Sequence, residues 1–299
     1  MTSLPLNAIE CRERGPGVVA LESTLILHGV PREAALELSA DLSRIILAAG
    51  ARPALVALVR GRAVVGATAD ELAELLAAPR VAKANSSNLG VLIHRREHGA
   101  TTVSATMELA AGAGVQVFAT GGLGGVHRGF GQRLDISADL GAFTRFPVAV
   151  VTSGVKSLLD VPSTREAIET LGIPVVGFRT DRFPAFYLRE SEAGVDARFD
   201  DERDLAAYLR REMIRTGRGV VVCNPIPEAD EIAREEWEVW LAAAEAHANA
   251  QSTAGRDVTP VILSKLHEVS GGRTLRANLA LVRSNAALAG SLARSMSAL

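Results

Sequence analysis

The sequence predicts a single α/β domain over residues 1–299, with a mostly parallel central sheet and helices on both of its faces. Short apolar segments alternate with longer segments of helical periodicity, the pattern of parallel strands joined by helices. Of the residues, 48 % are hydrophobic and 22 % are charged, which is enough apolar material for a sizeable core. We find no linker and no internal repeat in the 299 residues.

The first predicted strand, residues 18–27, is apolar except for three polar residues in its middle, Glu22, Ser23 and Thr24. Burial of an isolated carboxylate is costly, so we expect Glu22 to be paired, protonated or facing a cleft. The alternative is a glutamate at a strand end that backbone donors satisfy.

The other elements follow from helical spacing, capping residues and short apolar runs. A helix begins near Pro31 and ends at Gly50. Thr68 and Glu71 have the spacing of a capping box at the start of the next helix. Further strands are predicted at 54–60, 63–66, 115–119, 147–154, 174–177 and 219–223, and further helices at 163–171, 201–216, 229–250, 258–269 and 275–298.

A glycine-rich stretch, residues 118–139, carries more potential chemistry than any other segment. It has four glycines within five residues at the end of an apolar run, which would let a ligand approach backbone N–H groups. His127, Arg128, Asp135, Ser137 and Asp139 follow within the same stretch. The alternative is a glycine turn followed by a helix that Asp135 or Ser137 caps.

Lysine is scarce in this chain. Only Lys83, Lys156 and Lys265 occur among 32 basic side chains, and the other 29 are arginines. Because a guanidinium stays protonated and is a poor nucleophile, each lysine is a candidate for amine chemistry, with chance survival on the surface as the alternative. Lys156 follows a predicted central strand, where partial burial would lower its pKa. Lys83 is predicted in a polar loop, and Lys265 on a helix is the least informative of the three.

Two further patterns have competing interpretations. Residues 99–107 offer four hydroxyls before an apolar helix, which suits either a phosphate or an ordinary helix N-cap. His94 and His98 are four residues apart among charged neighbours, so we expect a solvated helix face rather than a metal pair.

The overall charge excludes some function classes. A net charge of −2 gives no electrostatic case for binding nucleic acid or an acidic membrane.

The two cysteines, Cys11 and Cys223, make no metal spacing. We see no signal peptide and no membrane span, and we expect a cytoplasmic protein.

Eight segments together closely resemble the pseudouridine-5′-phosphate glycosidase family. They extend along almost the whole chain in the order of that family, which is far more specific than a lone glycine motif. They are ALEST (20–24), GATTVSATM (99–107), TGGLGGVHRG (120–129), DISADL (135–140), GVKSLLD (154–160), TDRFPAFY (180–187), NPIP (224–227) and RANLALVRSN (276–285).

The resemblance implies an α/β fold, a homotrimer and a divalent metal, usually Mn²⁺, with Mg²⁺ or another divalent ion as the alternative. It implies reversible cleavage of the C–C glycosidic bond of pseudouridine 5′-phosphate to uracil and ribose 5-phosphate, as a carbon–oxygen lyase. It makes Glu22 the proton donor, Lys156 the covalent nucleophile and Asp135 the metal ligand. The implied substrate contacts are Lys83, Val103, Ser137, Ala138, Asp139 and Asn278.

The chain departs from the family pattern after Lys83. The family usually has a Ser-Arg-Arg-like segment there, whereas this chain has residues 84–88, Ala-Asn-Ser-Ser-Asn. Two cations are therefore missing near the expected phosphate end. The alternatives are another lysine-dependent sugar-phosphate lyase or aldolase, and a non-catalytic sugar-phosphate-binding protein. The joint presence of Glu22 and Lys156 favours an enzyme, because a binding protein would not need both.

Overall fold

The computed structural model describes residues 9–129, 131, 134–250 and 258–299, and it confirms the predicted α/β fold. The strands are Ile9–Cys11 (β1), Val18–Glu22 (β2), Arg52–Val59 (β3), Arg62–Val65 (β4), Ala82–Ala84 (β5), Gly99–Thr101 (β6), Val117–Ala119 (β7), Ala149–Thr152 (β8), Val175–Phe178 (β9), Ala197–Phe199 (β10) and Val220–Cys223 (β11). The helices are Ser23–His28 (α1), Arg32–Ala48 (α2), Ala69–Ala77 (α3), Leu89–His94 (α4), Val103–Gly112 (α5), Ala138–Phe143 (α6), Val161–Thr170 (α7), Glu202–Thr216 (α8), Arg234–Ala250 (α9), Val258–Val269 (α10) and Arg273–Ser297 (α11).

One sheet contains these strands in the order β1-β4-β3-β2-β7-β8-β11-β9-β10, with β6 on β3 and β5 on β6. The pairs β3–β4 and β3–β6 are antiparallel, and the other described pairs are parallel. The central strands β2, β7, β8 and β11 therefore end at the same edge of the sheet. Ligands of open α/β sheets bind outside this carboxyl edge.

Strand β2 shows how the sheet acquires two covered faces. Its successive side chains point to opposite sides because a strand has a side-chain period of two. Val19 and Leu21 belong to a core cluster with residues of α2 and α11. Val18 and Ala20 belong to a second cluster with residues of α5 and α6. Both faces of the central strand are therefore buried under helices.

The predicted helix caps are present. Thr68 Oγ1 accepts from the Glu71 amide at 3.2 Å, and the Glu71 carboxylate accepts from the Thr68 amide at 3.0 Å, so the capping box is confirmed. Ser137 is the N-cap of α6, with its hydroxyl accepting from the Asp139 amide at 3.2 Å. The alternative that Asp135 caps this helix is therefore wrong.

Two expectations about strands are wrong, each because a non-local contact decides the conformation. The predicted strand 18–27 ends at Glu22, and α1 begins at Ser23. The Ser23 hydroxyl accepts from the Thr101 amide at 2.8 Å, so the polar residues mark the strand end. Lys83 lies in strand β5, because residues 82–84 pair with β6.

The expected helix face with two histidines does not form either. Helix α4 ends at His94, so His98 lies beyond it. His98 Nε2 instead lies 3.6 Å from the Glu74 carboxylate. Within the described ranges, no helix is both long and apolar enough to cross a membrane.

Candidate active site

The candidate site lies at the carboxyl edge of the central strands. Glu22 is the last residue of β2, Thr120 directly follows β7, and Lys156 lies on the segment that follows β8. The Lys156 amide donates to the Leu123 carbonyl at 3.1 Å, so the segment after β8 is attached to the glycine-rich stretch. The order β2-β7-β8 therefore brings together residues that are far apart in sequence.

Glu22 has the environment of a carboxyl group that keeps its proton to a higher pH than an ordinary glutamate does. Its residue is 7 % exposed, and the Thr120 hydroxyl donates a hydrogen bond to Oε1. Burial raises its pKa to about 6, because the buried anion has lost its hydration. The positive charge of Lys156 and then the Thr120 hydrogen bond oppose this rise, Asp139 adds to it, and Lys83 opposes it more weakly.

The other site lysine, Lys83, lies at the exposed side of the site. Partial desolvation lowers its pKa, the positive charge of Lys156 lowers it further, and Glu22 acts in the opposite direction. The pKa of His28 is lowered by burial and then by the charge of Lys83. The two lysines, Glu22 and His28 therefore share one electrostatic environment.

The Asp139 carboxylate joins two elements of the site. Oδ1 accepts from the Ser104 amide at 3.1 Å, in the first turn of α5. Oδ2 accepts from the Gly124 amide at 2.9 Å, in the glycine-rich stretch. Asp139 thus binds protein backbone, and the implied substrate contact of the run Ser137-Ala138-Asp139 stays a prediction.

The glycines of this stretch allow close packing against protein. A Cβ at Gly124 would lie 2.3 Å from Ser137 Oγ, and one at Gly122 would lie 2.5 Å from the ring of Phe186. Both distances are far too short for carbon contacts. The interpretation that bare N–H groups await a ligand does not apply to Gly124, since its amide is occupied by Asp139.

The hydroxyls of residues 99–107 mainly make hydrogen bonds to other protein groups. Thr101 is fully buried, donates to the Val56 carbonyl at 2.6 Å and accepts from the Thr106 hydroxyl at 3.0 Å. Thr102 is the N-cap residue of α5, but its side chain makes no capping hydrogen bond. Val103, an implied substrate contact, is the buried first residue of this helix.

Asn278 offers an unused acceptor. Its Oδ1 on α11 is buried without a hydrogen-bond partner among the described residues. It lies beside Gly121, where a Cβ would approach Oδ1 to 3.4 Å. A buried acceptor without a donor is costly, so this atom is suited to a ligand N–H or O–H.

Asp135 is the implied metal ligand, and it is exposed. Its side chain is 67 % accessible, and its Oδ2 lies 4.0 Å from His127 Nδ1. In the described parts of the chain, no three His, Cys, Asp or Glu side chains are arranged to hold a metal ion. One carboxylate with a nearby imidazole fits a hard cation only if water or substrate completes its coordination.

Sequence reasoning did not single out Thr120, His28 or Asn285 as site residues. Asn285 is fully buried on α11, and its Nδ2 donates to the Thr120 carbonyl at 2.8 Å. The available signals were weak: Thr120 is the polar residue directly after an apolar strand, and Asn285 is a polar position within an otherwise apolar helix face. Neither signal tells which residue the side chain contacts.

Comparisons with known proteins identify the family of this chain. The model of the family described as indigoidine synthase A like protein matches residues 8–295. A pseudouridine-5′-phosphate glycosidase of Methylobacterium nodulans is 48 % identical over 282 residues, which cover 94 % of this chain and 84 % of that protein. Another, from Nocardioides sp., is 47 % identical over 281 residues, which cover 94 % of this chain and 92 % of that protein.

Two solved structures share the fold. An indigoidine synthase A-like protein of Thermotoga maritima superposes with a TM-score of 0.88 at 37 % identity, over 98 % of both chains. The prealnumycin C-glycosynthase AlnA, solved in complex with ribulose 5-phosphate, gives a TM-score of 0.88 at 35 % identity, over 95 % of this chain and 92 % of that one. The chain therefore belongs to the indigoidine synthase A-like family, which includes the curated pseudouridine-5′-phosphate glycosidases.

Proposed function

We propose that this protein cleaves the C–C glycosidic bond of pseudouridine 5′-phosphate reversibly, giving uracil and ribose 5-phosphate. The observation that carries the proposal is the buried Glu22, whose pKa is raised to about 6 and which shares the carboxyl edge of the sheet with Lys156. A proton donor and an amine in one site are what this reaction requires. The names of relatives at 47–48 % identity support the substrate.

In the first step, Glu22 donates its proton to the ribose ring oxygen. The bond between that oxygen and C1′ breaks with its electron pair moving to the oxygen, and the neutral Lys156 amine bonds to C1′. A carboxyl group whose pKa is raised to about 6 keeps its proton to a higher pH than an ordinary glutamate does, and it transfers that proton as charge develops on the oxygen. Lys156 releases one proton to the Glu22 carboxylate, which the first transfer left ionised, and becomes a secondary amine.

In the second step, the bond between C1′ and the uracil carbon breaks. Its electron pair leaves with uracil, whose carbon takes up the proton that Glu22 received from Lys156, and the lysine nitrogen lone pair forms the C1′ iminium. The nitrogen lone pair thereby stabilises the positive charge that develops at C1′ as the C–C bond breaks. Water then adds to the iminium, and ribose 5-phosphate leaves with return of the Lys156 amine.

For substrate binding, we propose that Asn278 Oδ1 accepts a hydrogen bond from the base or the sugar, because it is a buried acceptor without a partner among the described residues. Lys83 would pair with the phosphate as a point charge. Val103, Ser137, Ala138 and Asp139 complete the proposed substrate surface.

We also propose a divalent ion, Mn²⁺ or Mg²⁺, held by the Asp135 carboxylate. Oxygen ligands suit such hard cations, which commonly retain several waters. Bound there, the ion would anchor the anionic substrate. A homotrimeric assembly stays a prediction.

The direct test is release of uracil from pseudouridine 5′-phosphate, followed by ultraviolet absorbance. The protein should release uracil, and Glu22→Gln, which has nearly the same shape but cannot donate this proton, should be strongly impaired. Lys265→Arg is the matched control, because Lys265 pairs with Glu268 within α10 and no role in the reaction is proposed for it. Absence of uracil release by the wild-type protein, with and without Mn²⁺, would contradict the proposed function.

A further inference from the structure

A fully buried asparagine on α11 connects three strand ends of the candidate site. Asn285 Nδ2 donates to the Thr120 carbonyl at 2.8 Å and to Ser153 Oγ at 3.1 Å. Its Oδ1 accepts from Asn224 Nδ2 at 2.9 Å. Thr120, Ser153 and Asn224 each directly follow a strand, β7, β8 and β11 respectively. One side chain thus connects the helix to three adjacent strands.

The position of this amide is unusual for its surroundings. Its helix neighbours Leu281, Leu288 and Leu292 are buried in the apolar core, and an apolar residue would be expected between them. A buried amide is tolerated when its polar atoms are bonded, and both polar atoms of Asn285 have partners. The consequence of this amide for the structure is therefore the geometry that it imposes on its hydrogen-bond partners.

The network continues from Asn285 to the proposed proton donor. Thr120 is held at its carbonyl by Asn285, and its amide donates to the Val151 carbonyl at 3.0 Å. Its hydroxyl donates to Glu22 Oε1. With both backbone groups held and the residue fully buried, the β-branched Thr120 side chain has few rotamers available, which restricts the direction of the hydroxyl and of the carboxyl oxygen that it binds.

We propose that Asn285 is a positioning residue that orients the Glu22 carboxyl by holding the Thr120 backbone against β8 and α11. The inference rests on the proposed role of Glu22 as proton donor. Asn285 does not touch Glu22, so it acts through Thr120. Ser153 extends the same network toward Lys156, three positions further along the chain.

Besides burial, three charged groups and one hydrogen bond set the pH at which Glu22 titrates. They are Lys156 after β8, Lys83 on β5 and Asp139 on α6, and Thr120 supplies the neutral hydrogen bond. The Thr120 bond stabilises the ionised carboxylate. A variant that frees Thr120 should therefore raise the pH at which Glu22 titrates, while the three charges stay in place.

The experiment combines a carboxyl titration with kinetics. The infrared band of Glu22, isolated by subtracting the spectrum of Glu22→Gln, is followed against pH in the wild type and in Asn285→Leu. We expect Asn285→Leu to raise the midpoint by roughly half a pH unit, and to lower kcat about tenfold with KM changed less than about threefold.

A double-mutant cycle tests whether Asn285 acts through Thr120. Thr120→Val should raise the midpoint by itself, and adding Asn285→Leu to that background should raise it no further, because the hydroxyl that transmits the effect is gone. Full additivity of the two shifts would overturn the proposed route.

Two further variants separate positioning from stability. Leu292→Ala, about two turns further along α11, should lower Tm through a core cavity but leave the Glu22 midpoint and kcat within about twofold of the wild type. Ser153→Ala removes one partner of Asn285 with little risk to folding, and it should shift the midpoint in the same direction by less. An unchanged midpoint in both Asn285→Leu and Ser153→Ala, with only Tm reduced, would overturn the proposal.

The titration needs no substrate, so its outcome is independent of the reaction. If the wild type fails to release uracil, the proposed function fails whatever the titration gives. If uracil is released but the Glu22 midpoint does not respond to Asn285, the positioning role alone is wrong.

Discussion

The two ends of the candidate site are constructed differently. At one end, Glu22 is buried, its oxygen is bonded by Thr120, and Thr120 is held in turn by Asn285. At the other end, Lys83 is exposed on a three-residue strand, β5. The turn after it is held partly by its own side chains, with Asn85 Oδ1 accepting from the Ser87 and Asn88 amides at 2.9 and 3.1 Å. It is also attached to α5, because the Ser86 hydroxyl donates to the Ser104 carbonyl at 3.1 Å.

This difference matches two different requirements, a fixed orientation for a proton donor and a positive charge for a phosphate partner. A proton donor must meet one atom of the substrate, so a rigid, buried hydrogen-bond network suits it. A phosphate can be held by a point charge of looser geometry. The turn at 84–88 contains no cation, so the proposed phosphate binding would depend on Lys83.

The largest effect is expected from Lys156→Arg, which tests which of the two lysines is the nucleophile. Arginine keeps the positive charge but cannot form an iminium. We expect the variant to fold, to retain part of its substrate binding and to lose kcat by roughly 10³-fold or more. Borohydride added with ribose 5-phosphate should fix a reduced pentose-phosphate adduct on Lys156, which peptide mass spectrometry would locate.

The lowered pKa of Lys83 makes it the competing nucleophile in this experiment. An adduct on Lys83 would transfer the amine chemistry to the exposed end of the site. Lys265, paired with Glu268 at 2.7 Å, supplies the internal control for non-specific reduction. No adduct on any lysine, together with an active Lys156→Arg protein, would exclude the covalent mechanism.

The second effect concerns metal. Because an ion bound at Asp135 would anchor substrate, treatment with a chelator should reduce activity about 100-fold, and Mn²⁺ should restore it. Binding is measured separately by the Mn²⁺ electron paramagnetic resonance signal, which Asp135→Asn should weaken. Full activity in excess chelator, or undiminished Mn²⁺ binding by Asp135→Asn, would contradict the assignment.

The third effect is on stability and its pH dependence. Burial raises the folded-state pKa of Glu22 from 4.5 to about 6, so its contribution is fully present below about 4.5 and is lost as pH rises through 6. The shift corresponds to about 2 kcal/mol of unfolding free energy. Glu22→Gln cannot ionise, so its Tm relative to the wild type should increase from pH 4.5 to pH 7.

The control for this measurement is Glu268→Gln, because the pKa of Glu268 is lowered by its hydrogen bond to Lys265 and by the charge of that lysine. Its Tm difference from the wild type should change in the opposite direction, with Glu268→Gln becoming relatively less stable as pH rises. Because Glu268 is exposed, this change should be small. A pH-independent difference between Glu22→Gln and the wild type would show that Glu22 does not carry the expected burial cost.

Much of this fold was predictable from local patterns, since strand and helix periodicities lie within short windows. Lys156 after a central strand and the polar Glu22 in an apolar run were recognised in the same way. The supports of Glu22 were not, because Thr120 lies 98 residues from Glu22 and Asn285 lies 165 residues from Thr120. A hydrogen-bond partner at that separation leaves no local pattern.

Long-range contacts also explain the element that was predicted wrongly at residues 82–84. Strand β5 exists because it pairs with β6, and β6 in turn pairs with β3. Residues 82–84 have little strand character of their own, so a polar loop was the natural local expectation. The glycines after β7 were interpreted as a place where a ligand approaches the backbone, whereas the structure shows that Ser137 and Phe186 approach Gly124 and Gly122.

The smallest expected effect is at Lys83, and it tests whether this end of the site needs charge or an amine. Lys83→Ala should raise KM for pseudouridine 5′-phosphate about tenfold, with a much smaller change for unphosphorylated pseudouridine, because only the former carries the partner charge. Lys83→Arg is the matched variant: it keeps the cation, so KM should stay within about threefold of the wild type. Equal losses on both substrates would contradict phosphate binding. A collapse of kcat in Lys83→Arg would instead mean that the free amine of Lys83 takes part in the reaction, and the contrast between a catalytic end and a charged end would no longer hold.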